Sequence, residues 1–238
     1  MPDHNMLLAG LRPKETTPIE LGDLAFPPAF PPHPLMDRVA KRVFDASVAL
    51  VCLVLLAPLF ALVALAIWSV DGGSPFYRHR RLGRDRRSFG CLKFRSMRAD
   101  GDAILARHLA DNPVAQAEWA RTRKLKNDPR ITPIGQLLRK SSLDELPQLI
   151  NILRGDMSLV GPRPIVDAEV EKYGEAAPAY FAVRPGLTGA WQVSGRSDTT
   201  YAERVRLDRD YVASRSFAGD ILIIMRTIPA VFLVKGSY

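Results

Sequence analysis

Two adjacent carboxylates, Asp144 and Glu145, stand in the densest polar cluster of the sequence, Arg139-Lys-Ser-Ser-Leu-Asp-Glu-Leu-Pro-Gln148. Ser142 precedes Glu145 by three residues, the spacing of a capping box, which predicts that a helix begins here with both acids in its first turn. Asp144 is the alternative cap residue. Because adjacent helical side chains point about 100° apart, one acid is free to attack while the other holds a metal ion or a proton. Acids in a first helical turn also occur without catalysis, since they complement the helix dipole.

A loop rich in proline and glycine follows, and it places Arg163 between Pro162 and Pro164. The two prolines stiffen the loop and fix the direction of the guanidinium group. A planar guanidinium fork suits a pair of phosphate oxygens, so this loop is a candidate for binding a phosphorylated ligand. The alternative is a rigid turn that carries a solvated arginine.

Another loop, bounded by Arg184 and Arg196, contains three glycines. Two arginines in such a flexible segment are typical of a wall that faces an anionic ligand.

The composition of the whole chain also favours an anionic partner. The 238 residues include 33 Lys and Arg against 25 Asp and Glu, a net charge of +8. Phosphates, nucleic acid and an anionic membrane surface are the partners that this charge favours.

The motif content excludes several common classes of enzyme. Only two cysteines occur, Cys52 and Cys91. They exclude a disulfide scaffold and a four-cysteine zinc site. The sequence has no HExxH, P-loop, dinucleotide-binding or serine-hydrolase motif. His79 has no acidic neighbour in the sequence, so we expect no catalytic role for it.

Residues 46–70 form a run of 25 residues without a charge, ASVALVCLVLLAPLFALVALAIWSV. At about 1.5 Å per residue, a helix of this length crosses the hydrocarbon core of a membrane. Pro58 lies at its midpoint and predicts a kink, because proline lacks the N–H that a helix needs. A central helix buried in a soluble domain is the alternative.

Basic residues flank this run on both sides, three before it and six arginines after it. A simple span has its basic loops on one side only, so these flanks favour a helix that enters the membrane, bends and returns to the same face. An ordinary kinked span is the alternative. We therefore expect residues 35–72 to form a re-entrant membrane helix, with Trp68 as an interfacial anchor. The arginines that follow should form a solvated, membrane-facing patch: Arg80, Arg81, Arg84, Arg86 and Arg87.

The remaining segments predict a mostly α-helical fold with short strands, of the α+β class. Residues 1–34 hold 8 of the 19 prolines and should form a disordered tail. Residues 73–238 should form one cytosolic catalytic domain with interfacial amphipathic helices. We expect strands within 72–98 and one helix over 100–122. Further helical segments are predicted as follows: two within 133–154, then 165–182, 199–214 and 217–234.

Five ordered motifs resemble the bacterial sugar transferase family, the monotopic phosphoglycosyl transferases that begin polysaccharide and glycoprotein glycan assembly. They are KRVFDASVAL, SPFYRHRRLGRDRRSFGCLKFRSM, SSLDELPQLINILRGDMSLVGPRP, RPGLTGAWQVSGR and LDRDYVASRSFAGDILIIMRTI. The resemblance covers about residues 38–236. It is closest to the short, single-domain, exopolysaccharide-initiating form, without the extra transmembrane helices of longer members. Ala57-Pro58 stands where the family often has Ser-Pro, and Arg98-Ala99 departs from the usual end of the FRSM motif.

The resemblance implies a reaction. Such enzymes transfer a sugar 1-phosphate from a UDP-sugar, here a hexose such as galactose or glucose, to undecaprenyl phosphate. The products are an undecaprenyl diphosphate sugar and UMP. The family's acidic pair corresponds to Asp144 and Glu145. Asp144 would attack the sugar-linked phosphorus and form a phosphosugar-aspartyl intermediate, and Glu145 would hold Mg²⁺.

The resemblance also implies roles for other residues. Arg139 and Arg184 match functional positions of the family, with Asp208 as a polar partner. Arg163 would face the nucleotide. Lys93 and Arg95 either line the donor site or contact lipid headgroups. The full set of residues expected to bind substrate or phosphate is Lys93, Arg95, Arg139, Pro162, Arg163, Pro164, Arg184, Arg196 and Asp208.

The implied setting is the cytoplasmic face of a bacterial inner membrane. The partners would be a UDP-sugar, undecaprenyl phosphate, membrane lipid and downstream glycosyltransferases, with no nucleic acid. Two other hypotheses fit parts of the sequence. A basic, membrane-anchored module that binds nucleic acid or lipid explains the charge but not the acidic pair. An inactive scaffold of a glycan assembly complex would keep the fold and release no UMP.

Overall fold

The computed structural model describes residues 35–122, 124–195 and 199–232. The predicted tail, residues 1–34, lies outside this range, and so does Arg196.

The described chain is mostly helical with two small sheets, which confirms the predicted mixture. Its helices are α1 Leu35–Leu55, α2 Ala57–Asp71, α3 Gly101–Asp111, α4 Pro113–Thr122, α5 Pro133–Lys140, α6 Gln148–Arg154, α7 Val170–Tyr173, α8 Ala177–Phe181, α9 Ala190–Val193, α10 Tyr201–Ser214 and α11 Phe217–Phe232. The strands are β1 Phe76–Leu82, β2 Ser88–Phe94, β3 Ser158–Val160 and β4 Gly186–Thr188. Short 3-10 turns cover Arg84–Arg86, Leu143–Glu145, Asp167–Glu169 and Gly174–Ala176.

The long uncharged run is bent, as Pro58 predicts. Helices α1 and α2 meet at Leu56 and differ in direction by 63°. Proline has no N–H to donate and its ring clashes with the preceding turn, so the chain changes direction here. Within the described residues, no single helix has the length and apolar character needed to cross a membrane, whereas the bent pair α1 and α2 meets that criterion together.

Strands β1 and β2 form an antiparallel hairpin, paired from Phe76 with Phe94 to Leu82 with Ser88. Because side chains alternate along a strand, every second residue shares a face. One face of this hairpin carries Tyr77 opposite Lys93 and His79 opposite Cys91. The hairpin therefore presents a row of polar side chains on that single face.

Asn151 of α6 attaches the hairpin to the rest of the domain. Its side chain is fully buried. Its Nδ2 donates to the carbonyl oxygen of Gly90 at 2.9 Å, and its Oδ1 accepts from the N–H of Leu92 at 2.9 Å. A buried amide that satisfies two backbone groups fixes the distance between α6 and β2.

Helix α1 is attached to the domain by charged side chains near its start. Arg42 donates to two carbonyl oxygens at the end of α6, at 2.5 and 2.8 Å. Lys41 pairs with Asp45 at 2.5 Å and with Asp220 of α11 at 3.1 Å. Ser158 of β3 donates to the other oxygen of Asp45 at 2.7 Å. The polar end of α1 therefore lies against α6, β3 and α11.

Two predicted helices are divided in the structure. The expected single helix over 100–122 is wrong, because Asn112 ends α3 in an extended conformation and Pro113 begins α4. The Asn112 side chain accepts the N–H groups of Val114 and Ala115, both at 3.1 Å, which caps the second helix. The segment 165–182 is likewise broken, since Gly174 has a φ of +48° between α7 and α8.

We expect Gly135→Ala to destabilise the protein. A Cβ atom at Gly135 of α5 would lie 1.9 Å from the carbonyl oxygen of Ser96. Relief of this overlap requires a shift of α5, at a cost of about 1–3 kcal/mol. Thermal unfolding of the detergent-solubilised protein measures the effect as a lower midpoint. Gly101→Ala is the matched control, because its nearest contact would be an ordinary 3.5 Å. Equal midpoints for both variants would contradict the prediction.

Candidate active site

The acidic pair lies in the short turn Leu143–Glu145, between α5 and α6. The predicted capping box is wrong. Ser142 has a left-handed backbone with φ of 57°, and its side chain makes no capping hydrogen bond. An N-cap residue needs an extended backbone, which the left-handed conformation of Ser142 does not provide. Asp144 is nevertheless 9% exposed, so the turn brings one carboxylate to the edge of the core.

Two cations from distant parts of the chain converge on this turn. Lys93 of β2 places its Nζ 2.8 Å from Oε1 of Glu145 and 3.4 Å from Oδ2 of Asp144. Arg163 donates from NH2 to Oε1 of Glu145 at 2.7 Å and from NH1 to Oε2 at 3.4 Å. Glu145 is therefore held by both cations, whereas Asp144 has the longer contact with Lys93.

These surroundings separate the proton affinities of the two acids. Burial raises the pKa of Asp144, and this outweighs the opposing charge of Lys93. Burial also acts to raise the pKa of Glu145, but the charges of Arg163 and Lys93 hold that pKa well below its ordinary value. Two neighbouring carboxyl groups with pKa values pushed apart are suited to different roles. Glu145 is the permanent anion and Asp144 the more basic carboxylate.

Arg139 also belongs to this site. Its Nε donates to the hydroxyl of Ser96 at 2.9 Å. Burial lowers the pKa of Arg139, and the negative charge of Asp144 opposes that effect. Arg139 therefore adds positive charge on the Asp144 side of the pair. Arg95, by contrast, forms an ion pair with Asp71 at the end of α2.

Two further residues predicted to belong to the site, Arg184 and Asp208, form hydrogen bonds with groups outside the acidic turn. Arg184 donates from Nε to the carbonyl oxygen of Gly155 at 2.8 Å, at the end of α6. Asp208 is 2% exposed and accepts a hydrogen bond from the hydroxyl of Tyr173 at 2.7 Å. Burial raises the pKa of Asp208 to about 6. Neither side chain contacts the acidic pair, so any influence of these residues on it is indirect.

The two prolines on either side of Arg163, Pro162 and Pro164, are both buried. Sequence reasoning missed a second arginine beside it. Arg81 was expected in a solvated patch, but its side chain is only 19% exposed. Its NH1 donates to the carbonyl oxygen of Pro164 at 3.2 Å and to Glu169 at 3.5 Å. Strand alternation was the available signal, because Arg81 shares its hairpin face with Lys93.

The donor set is compatible with a magnesium ion that arrives with a substrate. Among the described residues, no group of three or more His, Cys, Asp or Glu side chains is placed to hold a metal ion. Mg²⁺ often uses one or two carboxylates and takes its remaining ligands from substrate phosphates and water. Glu145 suits that mode, since among the described residues its Oε2 accepts a single long hydrogen bond, at 3.4 Å.

Comparison with known proteins identifies the family. Residues 36–234 match the family described as bacterial sugar transferase. Over 200 residues the chain is 53% identical to the "exopolysaccharide production protein ExoY" of Sinorhizobium fredii, a match covering 84% of this chain and 88% of that protein. It is 51% identical over 202 residues to the "UDP-galactose-lipid carrier transferase" of Erwinia amylovora, covering 85% of this chain but 42% of that longer protein.

A third relative is the "UDP-glucose:undecaprenyl-phosphate glucose-1-phosphate transferase" of Caulobacter vibrioides. The chain is 39% identical to it over 233 residues, covering 93% of this chain and 82% of that protein. The family match includes the bent helix pair, the hairpin and the acidic turn alike. This chain therefore belongs to the bacterial sugar transferase family.

Proposed function

We propose that this sugar transferase moves a sugar 1-phosphate from a UDP-sugar to undecaprenyl phosphate and releases UMP. The observation that carries the proposal is the pair of adjacent carboxylates with opposite pKa shifts, surrounded by cations. The names of the Erwinia and Caulobacter relatives support a nucleotide-sugar donor and a lipid acceptor. The name of the Sinorhizobium relative supports a place in exopolysaccharide production. We propose that this reaction is its first membrane step.

The proposed reaction has two displacements at one phosphorus atom. In the first, Asp144 attacks the sugar-linked phosphorus, the bond to the UMP oxygen breaks and UMP leaves as an anion. In the second, an oxygen of undecaprenyl phosphate attacks the same phosphorus and releases the Asp144 carboxylate. Covalent catalysis by a carboxylate is an established route for phosphoryl groups. The raised pKa of Asp144 favours this role over Glu145, because the more basic oxygen is the better nucleophile.

Positive charge around the acidic turn supports both displacements. Phosphoryl transfer depends mostly on positioning and charge neutralisation. Lys93, Arg163 and Arg139 lie within reach of the turn and are suited to the anionic diphosphate. Glu145 orients Arg163 through the paired contacts at 2.7 and 3.4 Å. Glu145 would also hold Mg²⁺, which when bound neutralises charge on the donor diphosphate.

A lipid acceptor requires the site to lie at a membrane. The bent pair α1 and α2 supports insertion of that segment, and its 63° bend is compatible with re-entry and with a kinked span alike. Basic residues on both sides of the run favour re-entry. Trp68 at the end of α2 is 55% exposed, as an interfacial anchor would be. The proposed location is the cytoplasmic face of the inner membrane, where downstream glycosyltransferases would take the lipid-linked sugar.

The sugar is proposed to be galactose or glucose, as in the names of the two relatives. Release of UMP tests this directly. Membrane-purified protein is incubated with undecaprenyl phosphate, Mg²⁺ and each member of a panel of UDP-sugars, including UDP-galactose, UDP-glucose and their N-acetylated forms. We expect UMP release with one hexose donor. UMP release only with an N-acetylated donor would overturn the sugar, and no release with any donor would favour the scaffold hypothesis.

A further inference from the structure

The hairpin face that carries Lys93 continues beyond the acidic pair. Tyr77, His79 and Arg81 follow one another at every second position of β1, on the same face as Lys93. Strand β1 starts shortly after α2 ends, so the row leads away from the bent helix pair. At about 3.3 Å per residue, Arg81 lies roughly 13 Å along the strand from Tyr77. The far end of the row reaches Pro164, the residue after Arg163.

Contact with Arg81 fixes the tautomer of His79. The NH2 group of Arg81 lies 3.2 Å from Nδ1 of His79. Arginine can only donate hydrogen bonds, so Nδ1 accepts and the ring hydrogen is on Nε2. Burial lowers the pKa of His79, and the charges of Arg81 and Lys93 lower it further. His79 is therefore neutral at pH 7, with one N–H donor of defined position.

That donor has no partner within the described part of the protein. Nδ1 makes the only hydrogen bond of the His79 ring among these residues. The residue is partly exposed, and the ring of Tyr77, 53% exposed, lies 6.0 Å away between centroids. A fixed N–H donor beside an exposed aromatic ring and two cations is a typical arrangement for binding a planar or phosphorylated group.

We propose that His79 binds the nucleotide part of the donor, with Nε2–H donating to an oxygen of the uridine diphosphate group and Arg81 acting as its positioning residue. This inference rests on the proposed function and names a binding residue for it. The nucleotide is favoured over the lipid acceptor by position, because the row runs from α2 towards Arg163. A nucleoside diphosphate also offers many acceptor oxygens, on the phosphates and on uracil, for one N–H group.

Two substitutions at His79 separate hydrogen bonding from packing. His79→Leu removes both ring nitrogens, whereas His79→Gln retains an acceptor for Arg81 and an N–H donor. Arg80→Gln is the matched control, because Arg80 is exposed on the opposite face of the same strand. We expect His79→Leu to raise the KM for the UDP-sugar about tenfold, as for one lost hydrogen bond. The KM for undecaprenyl phosphate should stay unchanged, and His79→Gln should recover most of the loss.

Binding of radiolabelled UMP, measured by equilibrium dialysis on the full chain in detergent, gives a readout independent of turnover. His79→Leu should weaken it about tenfold, matching the KM effect. The inference is overturned if His79→Leu leaves both values unchanged, or if it raises only the KM for the acceptor. Loss of kcat in His79→Gln with an unchanged KM would also overturn it, in favour of proton transfer. UMP release by the parent protein tests the proposed function independently of His79. Thermal unfolding shows whether each variant is folded.

Discussion

Replacement of Asp144 by Asn should abolish UMP release. The amide keeps the size of the side chain but cannot attack phosphorus, and loss of a covalent nucleophile lowers turnover by at least about 10³-fold. The same variant should lose the covalent adduct. With a UDP-sugar and no acceptor, intact-mass spectrometry should detect parent protein heavier by one sugar phosphate, together with one UMP per enzyme. Asp144→Asn should show neither.

Glu145→Gln provides the comparison for this prediction. If Asp144 is the nucleophile, Glu145→Gln should turn over slowly yet still form the adduct. An adduct in Asp144→Asn that is absent in Glu145→Gln would reverse the two roles. An exposed acid remote from the turn, Asp210, supplies a control for loss of charge alone, because its side chain is 48% exposed. Asp210→Asn should behave like the parent protein.

Replacement of Arg163 should cause the second large loss. Arg163→Gln removes the paired contact with Glu145 at 2.7 and 3.4 Å and leaves Lys93 as the remaining cation there. Loss of one partner from this partly buried, hydrogen-bonded charge pair leaves the other charge unpaired, so we expect kcat/KM to fall about 10²-fold. Arg163→Lys should recover only part of this, because an ammonium group cannot reproduce the planar fork. Initial rates of UMP release measure both variants.

Arg154 is the matched control for Arg163. It lies at the exposed end of α6, nine residues earlier in the chain. Arg154→Gln removes the same charge without touching Glu145, so its kcat/KM should equal that of the parent. A similar loss in Arg154→Gln and Arg163→Gln would mean that net charge, and not the contact with Glu145, supports the reaction. Full recovery by Arg163→Lys would contradict the importance of the fork.

Local sequence patterns predicted the elements that depend on neighbouring residues. Pro58 predicted the bend between α1 and α2, and the short strands predicted within 72–98 are β1 and β2. The division of 100–122 also had a local signal, the pair Asn112-Pro113, which the helical pattern on both sides obscured. At Ser142 the local spacing was misleading. Ser142 has a left-handed backbone between α5 and the turn Leu143–Glu145, and this conformation excludes the capping box.

The cations that surround the acidic pair were harder to predict than the pair itself. Lys93 meets Glu145 across 52 positions of sequence, and Arg163 meets it across 18. No periodic pattern encodes such contacts, since they depend on how β2 and the loop after β3 pack against the turn. Alternation along β1 predicts that Arg81 shares a face with Lys93. Its contacts with Pro164 and Glu169 depend on how the hairpin packs against the loop after β3.

The buried amide of Asn151 determines how β2 is positioned beside the acidic pair. One edge of β2 pairs with β1, and Asn151 occupies the other edge at Gly90 and Leu92, so that part of the strand is closed to pairing with a foreign chain. The same two bonds define the register. A slip of one residue would turn Lys93 to the opposite face and away from Glu145. A single uncharged side chain thus determines which side chains of the hairpin lie on the face that meets Glu145.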